Sequence, residues 1–130
     1  MKTTIKAALA SNEISVADIS ANLKAITDII KKSAQNGANA VVFPELSITG
    51  YSCGDLFLNS KLTDAWADAL NEVSEATCDA SVTAFVGIPL KIENSLYDCV
   101  AVIDKGETLG FVPKRDLSYA ERRIFVSDND

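Results

Sequence analysis

The 130-residue chain contains no histidine. That removes serine–histidine–aspartate catalysis, cysteine–histidine pairs and histidine-ligated metal from anything these residues do alone. Cysteine is sparse. Cys53, Cys78 and Cys99 are odd in number, widely spaced and without a CxxC pair. Neither a disulfide framework nor a zinc site fits that spacing, and a reducing, cytoplasmic setting is expected. Basic residues are outnumbered, with 12 lysines and arginines against 18 aspartates and glutamates, a net charge of −6. Nucleic acid and anionic membrane both demand basic patches, so neither is an expected partner. No apolar run approaches the length of a membrane-spanning helix. Lys2 and Lys6 ahead of Ala8-Leu9-Ala10 imitate a signal-peptide cleavage site. The apolar stretch is too short, however, and Lys6 interrupts it.

What is present suits one domain over residues 1–130, since 48% hydrophobic content with 23% charge allows a sizeable core and argues against disorder. Thr3 to Ala10 alternates like a strand, with Ile5, Ala7 and Leu9 on one face. Ser15 and Asp18 have capping-box spacing before a helix carrying Ile19, Leu23, Ile26 and Ile30. Gly37 is its expected stop. Val41-Val42-Phe43 then forms a second strand, completing a βαβ unit. Ser60 is a candidate cap for a helix with Leu62, Trp66, Leu70 and Val73 on one side, where Trp66 reads as core packing. Val82 to Ile88 is a third strand, expected to stop at Pro89. Ser95–Ile103 and Thr108–Val112 make a hairpin over Asp104-Lys105-Gly106-Glu107. The fold class is therefore α/β, with a mixed sheet and helices packed on one face.

Two strand ends share a pattern of apolar strand, proline and charge. In Phe43-Pro44-Glu45 the proline cannot donate to a ladder and holds Phe43 extended, so Glu45 lies just past a strand end. Ligand sites in open α/β folds lie there. Glu45 can be a positioned acid or base, or simply a solvated loop residue. Val112-Pro113-Lys114 ends the fifth strand in the same way with the opposite charge. If both strands point the same way, Glu45 and Lys114 can converge, each favouring the other's ionised form. The lysine could then stabilise a developing oxyanion. The alternative is two unrelated surface charges.

Phe43-Pro44-Glu45-Leu46 followed by Thr49-Gly50-Tyr51 resembles the nitrilase, or carbon–nitrogen hydrolase, superfamily. The continuation Cys53-Gly54-Asp55-Leu56-Phe57 is most similar to the N-terminal glutaminase domain of glutamine-dependent NAD+ synthetases. Only the first half of that domain is covered. The resemblance implies a partial, truncated nitrilase-type α/β sandwich. It implies Glu45 as catalytic general base, Lys114 as stabiliser of the tetrahedral intermediate, and Tyr51 in the glutamine pocket. Glu121-Arg122-Arg123-Ile124-Phe125 resembles the family's following Glu-x-Arg-aromatic-Phe element, which makes Tyr119 and Glu121 candidate substrate-binding residues. The family usually carries a longer loop with Leu-Pro-Asn-Tyr before that glutamate. Here Leu117-Ser118-Tyr119-Ala120 is shorter and lacks the proline.

Such chemistry needs a thiolate, which the family places beyond the lysine strand, and no cysteine follows Lys114 in these residues. The chain by itself is expected to be inactive. It is expected to bind no metal or cofactor of its own, since ATP and magnesium would belong to a synthetase domain not present here. Glutamine is the expected small-molecule partner. Exposed sheet edge and apolar surface favour a homo-oligomer. A stand-alone amidase or nitrilase relative, and a non-catalytic remnant used for assembly, remain open as alternatives.

Overall fold

The structure, a computed structural model, describes residues 4–127. Thr3, where the expected first strand opens, and Lys2 lie outside the described residues. Five strands form one sheet in the order β1-β2-β3-β4-β5. They are β1 (Ala7–Leu9), β2 (Ala40–Val42), β3 (Thr83–Ile92), β4 (Ser95–Asp104) and β5 (Glu107–Pro113). The first two pairings are parallel and the last two antiparallel, so β2 and β5 run in the same direction. The helices are α1 (Ile19–Gln35), a short α2 (Ser60–Asp64) and α3 (Trp66–Ala80).

One face of the sheet meets α1 and α3. Ile26 and Ile30 of α1 and Val73 of α3 are fully buried against Val41, Ala84, Val86, Ile88, Ala101 and Ile103. These strand residues occupy alternate positions, as a sheet covered on one side requires. The mixed sheet with helices on one face is as expected. The other face carries exposed apolar residues, with Leu9 80%, Val112 59% and Val42 36% accessible. Trp66 packs against the core and meets Phe111 edge-on at 6.0 Å.

Several local expectations are corrected. The first strand is shorter than Thr3 to Ala10, and it turns Ala8 to the core while Ile5 and Leu9 are exposed. The helices lie on the side its larger apolar residues do not face. The cap of α1 is Asp18, whose side chain accepts from Ala21 N. Ser15 instead exchanges backbone hydrogen bonds with the side chain of Asn22. Asn59, rather than Ser60, caps the next helix, which breaks at Ala65 into α2 and α3. Pro89 does not end β3, which continues to Ile92 opposite Asp98 and Ser95. Gly87 N faces the β2 side, where it donates to Ser47 Oγ. Two residues on, the missing N–H of Pro89 falls on that same flank, which β2 has already left.

That departure of β2 creates the turn on which the site depends. Phe43 N still bonds Phe85 O; the chain then turns and reattaches to β3 at Gly87. Ile48 N donates to Gly87 O at 3.2 Å, and Gly87 N donates to Ser47 Oγ at 3.1 Å. A Cβ on Gly87 would lie 2.3 Å from Leu46 N, 2.5 Å from Pro44 O and 2.8 Å from Glu45 C. These neighbours are backbone atoms and cannot swing aside. The missing side chain is what lets the Glu45 turn press against the sheet. Leu46, at φ +50°, drops into a second core with Cys53, Phe57, Leu62, Leu96, Leu117 and Phe125.

Gly87→Ala is therefore expected to displace the 44–46 turn and to destabilise the fold by about 1–3 kcal/mol, the scale of an overpacked core. Urea unfolding checks it: an unchanged midpoint would show that the turn can lift off β3 freely.

Candidate functional site

The two strand-end charges meet. Lys114 Nζ lies 2.7 Å from Glu45 Oε1 and 2.7 Å from Glu121 Oε1. Glu45 comes from the turn after β2 and Lys114 from the end of β5. β3 and β4 lie between these strands, so the span is three strand spacings, about 14 Å. The turn closes that span by leaning over β3 at Gly87. The shared direction of β2 and β5 brings both charges to one end of the sheet.

Glu121 is delivered by the second core. Phe125, one turn beyond it, packs edge-on against Phe57 at a ring separation of 5.1 Å. This fixes the short 3-10 turn Glu121–Arg123 beside the 3-10 segment Tyr51–Leu58. Tyr51 Oη consequently donates to Glu121 Oε1 at 3.0 Å, and Ser118 N donates to Glu121 Oε2 at 2.7 Å. Four of the five residues singled out in the sequence therefore share one cluster: Glu45, Tyr51, Lys114 and Glu121. Tyr119 does not join them and is 88% exposed.

Two contributors were missed by sequence reasoning. Asp98 of β4 is buried, brings a carboxylate oxygen within 4.8 Å of one of Glu45, and lines an open cleft of about 320 Å³ with Glu45, Cys99, Val100, Val112, Pro113 and Lys114. Its signal was a lone carboxylate inside the apolar run Leu96-Tyr97-Asp98-Cys99-Val100-Ala101. Asn22 is the other. Its buried amide bonds Ser15 N, Ser15 O and Ile48 O, tying the loop before α1 to the Glu45 turn. An asparagine at a helical position facing the core was the available clue.

The three carboxyls sit in different fields. Glu121 is held down to about 2, first by the Lys114 ammonium and then by the Ser118 N–H. Glu45 is also lowered, by its hydrogen bond from Asp98 more than by Lys114, against a desolvation cost. Asp98 is pushed up to about 8, first by burial and then by Glu45. Lys114 is raised, chiefly by Glu121 and Glu45, and stays charged. Tyr51 is raised because its hydroxyl proton is engaged by Glu121. Glu45, Asp98 and Glu121 each offer an oxygen within 4.8 Å of the others, a spacing that could suit a cation. The Lys114 ammonium already takes that place for two of them.

None of the three thiols is set up beside Glu45 and Lys114. Cys53 is buried in the second core, where its Sγ lies 3.2 Å from Thr49 O and desolvation raises its pKa. Cys99 borders the cleft along the chain, but it lies in register with Ile88 and packs into the helix-covered core. Burial pushes its thiol up to about 11. Cys78 is exposed on α3, against Gly106 of the β4–β5 turn. A raised thiol is the reverse of an activated one.

The carbon–nitrogen hydrolase family model matches residues 6–129. The chain belongs to the carbon–nitrogen hydrolase family. It is 33% identical, over 97% of its length, to the glutamine-dependent NAD(+) synthetase of Mycobacterium bovis, of which it covers 19%. It is 32% identical over 84% of its length to that of Aquifex aeolicus, again covering 19%. Among solved structures, the glutamine-dependent NAD+ synthetase of Acinetobacter baumannii superposes with a TM-score of 0.88 at 26% identity, over 95% of this chain and 24% of that one. An amidase from Nesterenkonia sp. shares the fold, with a TM-score of 0.83 at 22% identity, over 95% of this chain and 48% of its own. The chain thus spans about a fifth of the curated relatives it matches. Among the described residues, no helix of this carbon–nitrogen hydrolase chain is long and apolar enough to cross a membrane.

The site makes an electrostatic prediction. Glu121 is lowered in the fold, so its contribution to stability is complete above its ordinary value of 4.5 and is lost as pH falls toward about 2. Lys114→Met keeps the stem and removes the charge. It should move the Glu121 titration upward and shrink that acid-side loss. Carboxyl 13C NMR with thermal melts between pH 2 and 6 reads both. A Glu121 titration unmoved by the substitution would disprove the dependence on Lys114.

Proposed function

We propose that these residues supply the base and the cation of an amide-hydrolysing site that releases ammonia from glutamine for NAD+ synthesis. The observation that carries this reading is the Lys114 ammonium bridging Glu45 and Glu121 at 2.7 Å each. Glu45 has a lowered pKa and borders an open cleft, so it is ionised and available to accept a proton. The likeness to glutamine-dependent NAD+ synthetases supports glutamine as the amide donor.

The chemistry follows from the charges. Glu45 takes the proton of a thiol, and the thiolate attacks the carboxamide carbon. The Lys114 ammonium stabilises the tetrahedral oxyanion, since a fixed positive charge is worth most where negative charge develops. Glu45 returns the proton to the departing nitrogen, ammonia leaves, and water cleaves the thioester with Glu45 again accepting a proton. Tyr51 and Glu121 hold the lysine end of the site. The thiol in this reading comes from sequence outside these 130 residues, because Cys53, Cys78 and Cys99 are turned away or held protonated. ATP and magnesium would serve a synthetase domain that is likewise outside them.

Two measurements test the proposal. The purified chain should release no ammonia from glutamine, and sustained release would refute the assignment of the nucleophile. In the full gene product, Glu45→Gln should lower glutamine-driven NAD+ synthesis by about 10²–10⁴-fold, the usual scale for a general base, and Lys114→Ala by about 10²–10³-fold, that of an oxyanion donor. Synthesis from added ammonia should be retained. Equal losses with both nitrogen sources would mean that the cluster serves the fold and not amide cleavage.

A further inference from the structure

Asp98 is the one carboxyl of the cluster that Lys114 does not bind. The Nζ contacts go to Glu45 and Glu121, while the backbone N–H of Lys114 donates to the carbonyl of Asp98 at 2.8 Å. Asp98 is 4% exposed, and its Oδ2 is fully buried with no hydrogen-bond donor supplied. A buried carboxylate oxygen without a donor is costly, and the cheapest relief is a proton on the carboxyl itself. The two carboxyls facing it press the same way, and the Lys114 ammonium opposes them. Glu45 stands over it from the turn after β2, Glu121 from the 3-10 turn, and Lys114 from the end of β5. Opposite Asp98 on β3 is Pro89, which carries no charge, and Cys99 turns to the other face of the sheet. A single ammonium thus serves three carboxyls. If all were ionised the cluster would carry −2; with one protonated it carries −1.

We infer that Asp98 is a neutral carboxylic acid that donates its proton in a hydrogen bond to the Glu45 carboxylate, orienting that group and holding it ionised. It is a positioning residue, acting on the reaction only through Glu45. The consequence for catalysis rests on the proposed function above, but the proton's location does not. Burial supports the assignment by keeping the carboxyl protonated up to a pH of about 8. The sign for stability follows. The folded chain binds this proton more tightly than the unfolded chain, whose ordinary value is 3.8. The contribution is therefore full below that pH and is lost as pH rises toward 8.

The test is a carboxyl 13C NMR titration of the protein from pH 4 to 10, in wild type and in Asp98→Asn and Asp98→Ala. One aspartate carbon should titrate near pH 8 and vanish in both variants. Asparagine can still donate to Glu45 and alanine cannot, so Asp98→Asn should leave the Glu45 titration low while Asp98→Ala raises it. Thermal melts should agree: Asp98→Asn should gain on wild type as pH rises from 5 to 9. Asp98 titrating below pH 5 would overturn the inference and leave the glutaminase reading intact. Equal Glu45 shifts in the two variants would overturn the donated hydrogen bond. Asp98 titrating near pH 8 in a protein whose Glu45→Gln variant keeps glutamine-driven synthesis would uphold the proton's place and sink only the reading of Glu45 as base.

Discussion

The ammonium of Lys114 joins the two packed parts of the molecule at the site. One half is the helix-backed sheet, which supplies the lysine from β5 and, through the turn after β2, the Glu45 carboxylate. The other is the smaller core around Leu46, Phe57 and Phe125, which supplies Glu121 and Tyr51. A salt bridge as open as Lys114–Glu45, with both side chains more than a third exposed, is worth little in itself. The Lys114–Glu121 contact is different, because Glu121 is only 6% exposed and would otherwise be a carboxylate out of water with two neutral donors. The buried partner fixes the lysine, and the fixed lysine makes the exposed partner's position meaningful for chemistry.

That placement depends on backbone before it depends on charge. Glu45 can reach across two strands only because Gly87 offers no side chain beneath the turn and binds it from both sides through Ser47 and Ile48. The turn in turn needs Leu46 at φ +50° and Gly50 at φ +92°, conformations that cost energy for leucine and almost none for glycine. Burial of Leu46 offsets its strain. Asn22 completes the lock by joining the same turn to the loop ahead of α1. The site is thus a local consequence of how β2 ends.

Much of this was legible in the sequence. The proline-stopped strand ends of Phe43-Pro44-Glu45 and Val112-Pro113-Lys114 announced two charges at one end of the sheet, and period and turn chemistry gave the order of the elements. What could not be read was anything requiring knowledge of which flank of a strand is occupied. Pro89 looks like a terminator in one dimension, yet it is tolerated because its missing N–H points to a side without a strand. Ile5 and Leu9 look like a core face, yet Ala8 and Ala10 turn inward, because the helices pack on the other side. Asp98 reads as an oddity in β4 until β2, β5 and the 3-10 turn converge on it. Tyr119 was a candidate through the family resemblance of its segment, and the structure leaves it 88% exposed and outside the cluster.

The same convergence explains why three carboxyls of similar intrinsic acidity end with different proton affinities. Glu121 meets an ammonium, a backbone N–H and a phenol, so ionisation is favoured on every side. Asp98 is buried against the Glu45 carboxylate, and the Lys114 charge only partly offsets this, so ionisation is opposed. Glu45 lies between them, and its two closest influences reinforce one another: Lys114 attracts its negative charge, and a protonated Asp98, as inferred above, would donate to it. A base must be ionised to accept a proton but must not be bound so tightly that it never does. A pair of donors on a partly exposed carboxylate meets that requirement better than the full enclosure of Glu121. The difference among the carboxyls is therefore set by what each one faces: Glu121 is enclosed by donors, Asp98 is buried against another carboxyl, and Glu45 keeps a side open to the cleft.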